Sequence, residues 1–205
     1  MATTATPYGL KAVNHIGGTP YAGSTRLLPI ASGYASNIFN GSIVSIVAAG
    51  TVEMVTVTGN GGGGAAASFP AGTIGVFVGC TYSDPVTGNL TFNQYWPSGT
   101  VAADAQAYII DDPDVVFMAQ ADAAVTQADL GQNTHLAAAQ STTTGDTTNG
   151  NSNTAVDATT ATTATFAFRI VDFVDSPTST VGDAFTDLLI KFNPGMHSYT
   201  NATGI

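Results

Sequence analysis

Along this chain, hydrophobic positions come in short β-branched runs broken by glycine, proline, asparagine and aspartate, and no run sustains the three-to-four spacing of an amphipathic helix. Ser42–Val47 and Thr51–Val57 flank Ala48-Ala49-Gly50 and predict a hairpin. Thr73–Tyr82 is apolar enough for a buried strand, Ser83–Asn89 has turn chemistry, and Leu90–Pro97 alternates again, which predicts a second hairpin. Gln106–Ile110 and Asp114–Gln120 read as strands on either side of the acidic turn Asp111-Asp112-Pro113-Asp114. Two short strands are expected at Val125–Ala128 and His135–Ala137, and two longer ones at Ala164–Val174 and Ala184–Phe192. Val101–Ala107 is compatible with a brief helical turn. Gln140–Asn153 contains no apolar residue and reads as a long exposed loop or a solvent-facing hairpin turn, the segment most open to motion.

The total is about nine or ten strands spaced by roughly 8 to 15 residues, without a fixed repeat. That spacing predicts an all-β fold, either a β-sandwich or jelly roll or an open β-barrel-like domain. The ends differ from the middle. Residues 1–40 hold Pro7, Pro20 and Pro29 with several glycines and only short apolar pairs, so they are expected to form an extended N-terminal arm that lies either on its own domain or on a neighbour. Its anchors would be Tyr8, Leu10, Val13, Ile16 and Tyr21. Residues 41–192 form the β-rich domain. Residues 193–205 are a tail with no period of their own, in which His197 and Tyr199 are the candidate anchors.

Charge narrows the possible partners. Lys11, Arg26, Arg169 and Lys191 face thirteen aspartates and Glu53, a formal net charge of −10. Four scattered cations cannot build the basic stripe that phosphate contacts require, so nucleic acid is not expected as a partner. The same shortage argues against an anionic membrane surface, and no apolar stretch is long enough to span a bilayer. With 31 Thr, 31 Ala and 23 Gly, hydroxyls and backbone must do the solvating that charged side chains usually do. Cys80 is single and sits in an apolar run, so it is read as a small core residue and no disulfide framework is expected. Residues 1–7 lack the basic and apolar regions of a secretion leader; none is expected, and the Asn-x-Ser/Thr triplets at Asn40, Asn89 and Asn201 are then chance matches.

Candidate chemistry is sparse. His15, His135 and His197 lie in three separate segments, without the short spacing of a zinc site. No Gly-x-Ser-x-Gly elbow is present, and the glycine run Asn60–Gly64 lacks the Lys-Ser/Thr pair of a phosphate loop. Asp111, Asp112 and Asp114 could hold calcium in a loop, but a proline turn with solvated carboxylates is the favoured reading. Asp146, Asn149, Asn151, Asn153 and Asp157 offer oxygen ligands at the wrong spacing for a calcium loop. No catalytic residue, metal ligand or cofactor is nominated, and the chain is expected not to be an enzyme. Tyr95-Trp96-Pro97 holds the only tryptophan, open to two readings: a core anchor or an interface anchor.

Ala5–Val13, Gly72–Tyr82 with Tyr95-Trp96-Pro97, and Lys191–Tyr199 together resemble the capsid decoration, or cement, proteins of tailed bacteriophages, over most of the chain. The motifs are packing and turn residues. The resemblance implies a non-enzymatic, β-rich virion protein, often a homotrimer, on the outer capsid surface. Such a protein clamps adjacent major capsid protein subunits and so stabilises the shell. Residues beyond about 120 exceed the length of the smallest such proteins. On this reading the arm, Tyr95, Trp96, His197 and Tyr199 contact the partner. The alternatives are a tail or tube component, and a calcium-assisted module binding a glycan or receptor.

Overall fold

A computed structural model describes residues 4–56 and 68–205. The glycine run at 60–64 and Val57 lie outside the described residues. The fold is nearly all β: two antiparallel sheets packed as a sandwich, not a closed barrel. In the first sheet the spatial order is β1 (Lys11–His15), β8 (Val115–Gln120), β11 (Asp187–Phe192), β10 (Phe168–Phe173) and β9 (Asn133–Thr134). In the second it is β2 (Arg26–Pro29), β7 (Gln106–Ile110), β5 (Thr73–Ser83), β3 (Ile43–Ile46) and β4 (Val52–Met54), with β6 (Leu90–Asn93) also paired to β5.

The second sheet is buried on both faces over its central strands. Ile43, Val76 and Ile110 join Phe117, Phe168, Ile190 and Phe192 of the first sheet in one core. Their chain neighbours Val44, Phe77 and Ile109 enter a second core with Ile30, Ile38, Trp96 and Ala105. Successive residues therefore point into different apolar spaces, which explains the nearly continuous apolar character of β3, β5 and β7. β5 and β7 also approach closely. A Cβ on Gly75 would lie 1.9 Å from the Ile110 carbonyl oxygen, and its φ of +144° suits glycine.

The first forty residues lie on the chain's own domain, one of the two supports expected for the arm, and add a strand to each sheet. β1 is the edge strand beside β8, Lys11 opposite Met118 and His15 opposite Val115. β2 pairs with β7, Arg26 opposite Ile109. Leu10 is buried in the first core, and Ile30 and Ile38 cover the second. An arm-like sequence arises because these strands are short and separated by turns, while their partners lie far along the chain. The tail is docked too: His197 is buried, and Ser198–Thr200 form a 3-10 turn.

Three local expectations also change. Residues Gln127–Asp129 form a 3-10 turn in place of a strand, held by the Asp129 carboxylate accepting from the Thr126 N–H at 2.9 Å. The nearby strand is Asn133–Thr134, just before His135–Ala137. The helical turn with which Val101–Ala107 is compatible does not form: residues 103–104 make a turn and Gln106 begins β7.

The polar segment from Gln140 is more structural than its composition suggests. Gln140 is only 2% exposed. Its Oε1 accepts from the Ile43 N–H at 2.8 Å, and its Nε2 donates to the carbonyls of Ile43 and Val55 at 3.0 and 2.9 Å. The carboxamide thus bridges the start of β3 and the residue after β4, which also bond each other through the Val55 N–H and the Ile43 carbonyl, and it satisfies buried backbone groups whose burial would otherwise be costly. Gln140→Ala is expected to destabilise the fold by about 3 kcal/mol, read as a lower urea midpoint with unchanged slope. A midpoint within error of the parent would contradict this role.

Candidate functional site

Two surface features stand out: the acidic turn between β7 and β8, and the outer edge of β6. At the turn, every carboxylate meets a side chain from another segment. Arg26 Nε on β2 donates to Asp111 Oδ2 at 2.6 Å, and the Tyr199 hydroxyl donates to the same oxygen at 2.9 Å. The Arg26 guanidinium also lies 5.5 Å from the Tyr199 ring centre. His15 Nδ1 is 3.6 Å from Asp112 Oδ2, and Lys191 Nζ on β11 is 3.0 Å from Asp114 Oδ1. The Ile16 N–H donates to the Asp114 carbonyl at 2.9 Å. The turn therefore ties β1, β2, β11 and the tail together. Among the described residues, no group of three or more His, Cys, Asp or Glu is placed to hold a metal ion.

The residues nominated from sequence divide between this turn and the interior. Val13, Ile16 and Tyr199 are exposed, and Tyr21 is half-buried. The Tyr21 hydroxyl donates to the Ser24 carbonyl, and its ring lies 6.0 Å from that of His15. Burial raises the Tyr199 phenol above its ordinary pKa, helped by its hydrogen bond to Asp111. Tyr8 stands apart: its hydroxyl donates to Asp187 Oδ1 at 3.0 Å, and Lys11 Nζ sits 4.4 Å from its ring centre.

Leu10, Trp96 and His197 are withdrawn as partner contacts, because their own chain encloses them. Trp96 is fully buried, its ring 5.4 Å from Tyr82 and its Nε1 donating to the Tyr34 carbonyl at 3.3 Å. Tyr95 is half-buried and stacks on Phe39 at 5.7 Å. Of the two readings of Tyr95-Trp96-Pro97, Trp96 takes the core one. Cys80 is also buried, and burial pushes its thiol up to about 12, which leaves almost no thiolate at neutral pH.

The β6 edge was not nominated from sequence. Leu90 and Phe92 are 62% and 68% exposed, while Thr91 and Asn93 alternate toward the protein. β6 pairs with β5 on one side, Leu90 opposite Ser83 and Phe92 opposite Thr81. Among the described residues, no strand pairs with its other side. The strand is fixed at both ends. Asp84 Oδ1 accepts from the Val86 and Thr87 N–H groups at 2.8 Å each, shaping the turn before it. After it, Trp96 and Ile38 exchange backbone hydrogen bonds at 2.8 and 3.2 Å. Asp84 and Asp104 lie at this end of the sheet, where Asp104 accepts from the Ser83 hydroxyl at 2.6 Å. Hydrogen bonds hold both carboxyls below the usual aspartate pKa, so both are ionised at neutral pH. The alternation of Leu90 and Phe92 was visible in the sequence, but their facing away from the core was not.

No protein-family model, curated protein or solved structure matches this chain.

His197 links the tail to pH. Burial is the main cause holding its imidazole below the ordinary 6.5, while its Nδ1 accepts from the Tyr199 N–H at 3.2 Å. The unfolded chain takes a proton near 6.5 and the folded chain resists it. This contribution to stability is therefore complete above that pH and is lost as pH falls toward the lowered folded value. The stability gap between the parent and His197→Gln is expected to narrow between about pH 7.5 and about pH 5.5 in urea titrations. A gap that stays constant would contradict the assignment.

Proposed function

We propose that this protein is a non-enzymatic virion structural protein that decorates the outer surface of a phage capsid and stabilises it by bridging major capsid protein subunits, itself assembled as a homotrimer. The observation that carries this reading is the unpaired β6 edge with Leu90 and Phe92 directed outward. Natural sheets usually protect such an edge with charge, proline or a covering segment. Here a strand with two large exposed apolar residues is held rigidly and left open, a suitable template for strand addition by a partner segment. Backbone hydrogen bonds supply affinity in that mode, and the side chains at alternate positions set register.

The reading moves the contact surface away from the N-terminus. Residues 1–40 are needed within the chain's own two sheets, so the partner supplies the extended segment and β6 receives it. Charge adds a requirement. Asp84 and Asp104 stand near the edge, whereas Arg26 and Lys191 are engaged at the acidic turn, Lys11 lies over Tyr8, and Arg169 donates to Asn133. A complementary segment has apolar residues two apart and a Lys or Arg beside them. Assembly concentrates such segments, so the intact shell binds better than free subunits and gains stability by mass action.

Phe92→Lys, on an exposed side chain, is expected to leave the thermal midpoint within a few degrees of the parent and to weaken co-sedimentation with assembled shells at least tenfold, about 1.4 kcal/mol or more. Undiminished occupancy by a folded Phe92→Lys protein would remove β6 from the contact.

A further inference from the structure

The hydrogen-bonding phase of β6 decides which of its backbone groups are open. The Asp84 N–H donates to the Asn89 carbonyl at 2.9 Å, and these two residues oppose each other one step beyond Ser83 and Leu90. In an antiparallel ladder, residues two apart direct both N–H and carbonyl to the same side. Asn89, Thr91 and Asn93 therefore turn their backbone toward β5, and Leu90 and Phe92 turn theirs to the open side. Past Asn93 the chain bends and Trp96 pairs with Ile38, so the open stretch ends there.

β2 forms another edge of the same sheet, and it is blunted. The Ile30 N–H donates to the Ala105 carbonyl at 3.1 Å, which turns Arg26 and Leu28 toward β7 and leaves Leu27 and Pro29 outermost. Proline has no N–H to offer an added strand. β6 has no such guard.

The face that Phe92 shares constrains a partner further. Directly opposed residues lie on one face, so Phe92 continues through Thr81 and Gln106 to Pro29, while Leu90 opposes Ser83 and Tyr108 opposes Leu27. None of these side chains is charged. The Asp84 carboxylate stands at the Leu90 end of the strand, in the turn that precedes it.

Resting on the strand-addition reading, we infer that the segment received by β6 runs antiparallel to it and carries two apolar residues, neither of them proline, on either side of one residue of any type, with Lys or Arg following on the carboxyl side. A four-residue edge favours antiparallel addition, which is slightly more stable per residue. One partner residue then lies opposite Phe92 and another opposite Leu90, each exchanging a pair of backbone hydrogen bonds, with their side chains on the uncharged face. The residue between them turns its N–H away from β6. The partner passes Phe92 before Leu90, so a cation on its carboxyl side comes to the Asp84 end. Parallel addition would reverse both features: the middle residue would make the bonds, and the cation would precede the apolar pair.

The test is an NMR titration of the full chain with acetyl-Thr-Val-Thr-Val-Thr-Lys amide, following the backbone amides of residues 89–93. Saturable shifts centred on Leu90 and Phe92 are expected. N-methylation of either valine removes a donor and is expected to weaken binding about tenfold, whereas N-methylation of the threonine between them is expected to leave it within about twofold. Moving the Lys to the amino end is expected to weaken binding about threefold at low salt. Three results would overturn the assignment: loss of binding on methylating the middle threonine with the valines tolerant, tighter binding of the peptide with Lys at the amino end, or no saturable shift at residues 89–93. Shell co-sedimentation of Phe92→Lys separates the two levels. If that variant loses occupancy while the peptide pattern fails, only direction and register are refuted; if its occupancy is undiminished, strand addition itself is refuted.

Discussion

Burial of the second sheet on both faces governs the architecture. β3, β5 and β7 each send neighbouring residues into two cores, Ile43 and Val44 being the clearest pair. The first sheet covers one side. The other side has no sheet to cover it, so Ile30, Ile38, Trp96 and Ala105 from connecting segments must do so. This requirement draws the first forty residues inward and closes Trp96 to any partner.

A chain with few charged side chains must satisfy its polar backbone by other means. The Gln140 carboxamide bonds the buried backbone of Ile43 and Val55. Asp84 and Asp129 close turns by accepting neighbouring N–H groups. The charges that exist are concentrated where segments meet, as at Asp111, Asp112 and Asp114 with Arg26, His15 and Lys191. The acidic turn is thus a structural junction, and the β6 edge, among the described residues, combines an unpaired side with two large outward apolar side chains, Leu90 and Phe92.

Several strands were legible because their signals are local. β5, β7, β8 and β11 carry long apolar or alternating patterns, and the turns at Gly50 and Asp84 announce two hairpins. β1 and β2 were not legible, because they are short and are defined by pairing with β8 and β7 far along the chain. Gln140 looked like loop because composition records polarity and not which backbone groups lack partners. The candidate edge was half visible: alternation marked Leu90 and Phe92, but their outward direction depends on the register that places Tyr82 and Cys80 in the core.

The central functional claim is that β6 receives a strand from the capsid. Hydrogen–deuterium exchange on the free and shell-bound protein tests it most directly. The account predicts that amides in Leu90–Asn93 gain protection on binding, while those of β1 and β2 are protected in both states. New protection confined to residues 11–29 or to the tail after Asn193, with β6 unchanged, would contradict it.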